Sequence, residues 1–111
     1  MRSLPNVQTL QQAVREVIES NEGDGYVPTR FIQATDSGDV PDLLSVCKRL
    51  IAKGETLEYL ENALKRSPTL LTLEDFVSQH GTAWGFSQNT IEAAKARVKY
   101  FDIIAGMTRY E

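Results

Sequence analysis

Groups that usually carry chemistry are scarce in this chain: 111 residues hold one cysteine, one histidine and one tryptophan. A lone Cys47 excludes an internal disulfide, and its place in an apolar helical pattern reads as a buried, reduced thiol. With His80 as the sole histidine and no cysteine near it, a zinc site is not expected. A hydrolytic triad would need His80 beside Ser78 or Cys47 plus an orienting acid, and no nucleophile elbow supplies that context. No apolar run approaches the ~20 residues that span a bilayer. The opening MRSLPNVQTLQQAV is too polar for the core of a signal peptide, so a cytoplasmic protein with no membrane partner is expected.

Basic excess is missing too. The formal charge is −3, with 12 Lys and Arg against 15 Asp and Glu. Residues 72–111 carry four cations against five acids, so any attraction to phosphate depends on local clustering and not on the total. The acids Glu22, Asp24, Asp36 and Asp39 lack the spacing of an EF-hand loop. NEGDG, at 21–25, lacks the lysine and the strand-to-helix context of a phosphate loop. No cofactor and no enzymatic activity are expected.

What is present is helical periodicity. Val7, Leu10, Val14, Val17 and Ile18 form one stripe, predicting a helix over 5–20 that NEGDG stops. YVPTRFIQAT predicts one or two turns after Pro28. PDLLSVCKRLIAKG, 41–54, puts Leu43, Leu44, Cys47, Leu50 and Ile51 inward, with Gly54 as its cap. Thr56 reads as the N-cap of LEYLENALKRS. Thr72 with Asp75 approximates a capping box for the next helix. Ser87 caps a last helix with Ile91, Ala94, Val98, Phe101 and Ala105 inward, ended by Gly106. No segment sustains period-two alternation. The expectation is one all-α domain over 1–111, with five to six short helices in an orthogonal or bundle-like array and 106–111 as a loose tail.

GFSQNTIEAAKARV, 85–98, carries the functional question. Gly81 stands four residues before Gly85; Phe86 and Ser87 follow, and Ile91 and Ala94 point inward on the second helix. In that order these residues resemble the helix-turn-helix motif over 77–98: a small residue where the helices cross, a turn glycine, an apolar residue and a cap. The resemblance implies DNA binding by a homodimer, with the helix from Ser87 entering the major groove. Gln88, Asn89, Glu92, Ala93 and Ala96 would then face bases, and Lys95, Arg97 and Lys99 would meet phosphates. Two positions depart from the pattern. Alanine is usual where Gly81 stands, and an apolar residue where His80 stands. A helix ending at Gly81 would leave TAWGF as a loop and break the match.

The alternative is a helical protein–protein interaction module, such as an adaptor, inhibitor or assembly factor. It would meet its partner through Tyr26, Trp84 and Phe86. Tyr100 could join Trp84 and Phe86 in an aromatic cluster.

Overall fold

The computed structural model describes residues 2–23, 25, 29–36, 40–53 and 57–110. It is all-α. Among the described residues there are six helices and no strand: α1 (Leu10–Gly23), α2 (Thr29–Thr35), α3 (Val40–Lys53), α4 (Leu57–Arg66), α5 (Leu73–Trp84) and α6 (Gln88–Ala105). Among these residues no helix is long and apolar enough to cross a membrane. The expected caps at Gly54 and Thr56 lie outside the described residues.

The first helix starts later and runs further than expected. Thr9 is its cap, its Oγ1 accepting from the Gln12 N–H at 3.2 Å while the Gln12 side chain accepts from the Gln8 N–H at 2.7 Å. These bonds satisfy the Gln12 and Gln8 N–H groups at the helix start, and Val7 enters the core from non-helical chain. At the other end Asn21 does not stop the helix. It is buried, and its amide donates to the Val17 carbonyl at 2.7 Å and the Leu71 carbonyl at 3.3 Å. With Ser20 accepting from the Leu71 N–H at 3.0 Å, the end of α1 is pinned to the chain entering α5.

α5 and α6 are central. α5 packs on α1, α3 and α6, and α6 packs on α3, α4 and α5. One apolar cluster joins Leu10 and Val14 of α1, Leu43, Cys47 and Ile51 of α3, Leu73 and Val77 of α5, and Ile91 and Ala94 of α6. A second joins Val7, Ala13, Val17, Leu71 and Phe76. A third, of Ala63, Leu64, Leu70 and Phe101, seats α4 on the far half of α6. Burial on this scale, about 25 cal/mol per Å² of apolar surface, is what holds helices of 7 to 18 residues that would be marginal alone.

Residues 107–110 are not a loose tail. Gly106 takes the left-handed conformation (φ 74°), with its N–H on the Ile103 carbonyl and the Met107 N–H on the Asp102 carbonyl. That turn sends the chain back across α5. Arg109 is 0 % exposed, its Nη1 lying 3.1 Å from Asp75 Oδ1 and its Nη2 2.6 Å from Asp75 Oδ2. It also donates to the Pro68 and Leu70 carbonyls, at 2.9 and 2.5 Å. The Tyr110 hydroxyl donates to the Thr69 carbonyl. Asp75 meanwhile completes the expected capping box, accepting from the Thr72 N–H at 3.0 Å while the Thr72 Oγ1 accepts from the Asp75 N–H at 3.2 Å.

Candidate nucleic-acid interface

α5 does not end at Gly81; it continues to Trp84. Gly85 then turns the chain in the left-handed region (φ 91°), a conformation that disfavours a side chain. The Phe86 N–H reaches back to the Gly81 carbonyl at 2.9 Å and the Gly85 N–H to the Thr82 carbonyl at 3.3 Å, closing the helix by the two bonds of a Schellman turn. Phe86 drops into the core. Ser87 caps α6, its Oγ accepting from the Thr90 N–H at 3.3 Å. Thus Gly85, Phe86 and Ser87 are the whole connection between two helices.

Gly81 sits where those helices meet. A Cβ on it would stand 2.7 Å from Ile91 Cγ1, 3.2 Å from Ile91 Cδ1 and 3.3 Å from Val77 Cγ1. The departure from alanine therefore has a local cause: Ile91 comes too close for a methyl group. The other departure is accommodated as well. His80 lies with its ring 5.3 Å from that of Trp84, half-buried on the side of α5.

Seen along α6, the expected contact residues separate into two groups. Gln88, Asn89, Glu92, Lys95, Ala96 and Lys99 are exposed. Gln88 Nε2 donates to Glu92 Oε1 at 2.7 Å, and Lys95 Nζ lies 3.8 Å from the same oxygen, so this acid is flanked by a donor and a cation. Ser78 of α5 lines a shallow groove with Glu92, Lys95, Ala96, Val98 and Lys99. The Ser87 hydroxyl is engaged in the cap.

Arg97 corrects the expectation. It turns inward, with Nε 2.5 Å from Glu74 Oε2 and the guanidinium 5.5 Å from the Phe101 ring centre. Its Nη1 approaches the Ile51 carbonyl at 3.5 Å. Glu74 is buried, and burial pushes its pKa up even with Arg97 beside it. Removing Arg97 from that acid would leave a buried carboxylate alone, so Arg97 is not a free phosphate partner. Ala93 also packs toward the core and does not face bases.

The aromatic surface of the alternative reading is largely withdrawn. Phe86 is 7 % exposed. Trp84 is half-buried, packed against two core clusters with its Nε1 donating to the Gln8 carbonyl at 3.3 Å. Tyr26 lies outside the described residues. Tyr100 does not join Trp84 and Phe86 but turns to α4, its hydroxyl 2.6 Å from Glu61 Oε1.

Two features had gone unread. Arg109 falls in the expected tail, and its partner Asp75 stands 34 positions away, beyond the reach of spacing arguments. The second is an apolar row on the open side of α6. Ile103 is 77 % exposed and Tyr100 41 %, with Met107, just past the helix, also at 41 %. The 3–4 spacing of Ala96, Tyr100 and Ile103 was a legible signal, overshadowed by the stronger inward stripe beside it.

No protein-family model, curated protein or solved structure matches this chain.

Proposed function

We propose that this protein binds duplex DNA through the α5–turn–α6 unit, acting by binding in the cytoplasm and not as an enzyme. The observation that carries the reading is the three-residue connection closed by left-handed Gly85, with Gly81 admitting Ile91 at the crossing. It leaves the first half of α6 exposed and polar at its outer face, as a helix entering the major groove requires. Gln88 and Asn89 have the amides that pair with adenine edges, and Lys95 and Lys99 are the cations for phosphate. Arg97 has no part in it.

Two lysines on an acidic chain give weak, salt-sensitive binding. The experiment is a double charge reversal, Lys95→Glu with Lys99→Glu, both at exposed positions. The variant should keep its circular dichroism and thermal midpoint and lose affinity for mixed-sequence duplex. Unchanged affinity would overturn the reading.

A second reading, a helical protein-interaction module, is favoured by the exposed Tyr100, Ile103 and Met107. In that case Ile103→Asp abolishes partner binding.

A further inference from the structure

The outer row of α6 is unusual because its most exposed member is a large aliphatic residue, Ile103, at 77 %. Tyr100 precedes it by three positions and Ala96 by seven, which is the spacing of a helix–helix seam. We propose that a second copy of this chain covers the row, the two α6 helices running antiparallel about a two-fold axis between Tyr100 and Ile103.

Two observations favour this occupant. First, the row is self-complementary, as a two-fold interface must be. With the axis between residues 101 and 102, Tyr100 of each copy faces Ile103 of the other. The small Ala96 comes level with the partner's helix end. Second, the last turn of α6 carries no basic residue, so its negative end lacks a cation from its own helix. The antiparallel copy lays its exposed Lys99 and Lys95 level with that end.

Neither observation rests on the DNA reading. One helix seam offers less than the ~800 Å² per partner of a standard interface, so association is expected in the micromolar range.

Sedimentation velocity over about 5 to 200 µM tests the proposal. Wild type should move from monomer to dimer across that range. Ile103→Asp, at an exposed position, should keep its thermal midpoint while its dimer dissociation constant rises at least about tenfold, the effect of burying an unpaired charge. A mixture of Tyr100→Cys and Ile103→Cys chains should form a disulfide between the two variants in preference to either alone, on a background where Cys47 is buried. A wild-type monomer at 200 µM overturns the proposal and leaves the row to a different protein. A dimer unaffected by Ile103→Asp overturns it equally. DNA binding by a strict monomer would sink the seam and spare the DNA reading; a dimer that binds no DNA would do the reverse.

Discussion

Arg109 and Asp75 form a two-point ion pair at 3.1 and 2.6 Å, with the guanidinium wholly enclosed and the rings of Phe101 and Tyr110 beside it. The pair ties the last described residues to the first turn of α5, so the start of that helix and the end of the chain form one unit. Asp75 also caps α5 through Thr72, which couples the helix start to the pair.

Arg109→Ala should therefore behave as a core substitution. It leaves a buried carboxylate facing an empty site, and removing one partner of such a pair costs about 3–5 kcal/mol. Urea unfolding measures this directly. A loss below ~1 kcal/mol would mean the tail contributes little to the folded state.

Gly81→Ala sets two effects against each other. Helix propensity favours alanine by about 1 kcal/mol. Against it, the new methyl would press on Ile91 Cγ1 at 2.7 Å, in the middle of a side chain that is itself buried. Overpacking of this kind costs about 1–3 kcal/mol, so net destabilisation is expected. Gly85→Ala has room but must hold a left-handed φ of 91°, costing about 1–2 kcal/mol. Thermal midpoints of the two variants check both; a stabilised Gly81→Ala would show that the helices cross further apart.

Cys47 should be inert in the native protein. Burial, helped by the nearby charge of Glu74, pushes its pKa up to about 12. At pH 8 the thiolate is essentially absent, so reaction with a disulfide reagent should follow chain opening and accelerate on adding urea. Rapid labelling of the folded protein would contradict this.

The pH dependence follows from Glu74. Burial, its largest influence, outweighs Arg97 and raises the carboxyl above its ordinary 4.5. The folded protein then holds a proton that the unfolded chain releases. Stability from this group is complete below the ordinary value and declines as pH rises through the raised one. Asp75, also raised by burial in spite of Arg109, adds to it in the same direction, so unfolding free energies from about pH 5 upward should show a decline that Glu74→Gln lessens. Stability rising with pH in wild type and variant alike would show the carboxylate held charged by Arg97.

Most helices were legible because their cause is local. The stripe through Leu43, Cys47 and Ile51, the Thr72–Asp75 box and the Ser87 cap all lie within a few positions of one another. The connection at 85–87 was readable for the same reason, since a left-handed turn calls for Gly85 whatever surrounds it. Arg97 was misread because its partner, Glu74, is distant in sequence, and charge patterning along a helix assumes that cations face water. Val7 joins the core outside any helix, so periodicity placed it correctly inward but on the wrong element. The part of the interface that faces outward is the hardest to read: exposed Gln88, Asn89 and Lys95 look like any solvated helix face.

The most direct measurement is a titration against mixed-sequence duplex DNA at ~50 and ~200 mM salt. Two lysine–phosphate contacts predict an affinity loss of about tenfold over that range. Binding at low salt that falls in this way is the predicted result. No binding at ~50 mM salt would contradict the account, since a groove-reading helix without phosphate attraction has nothing to hold it to the duplex.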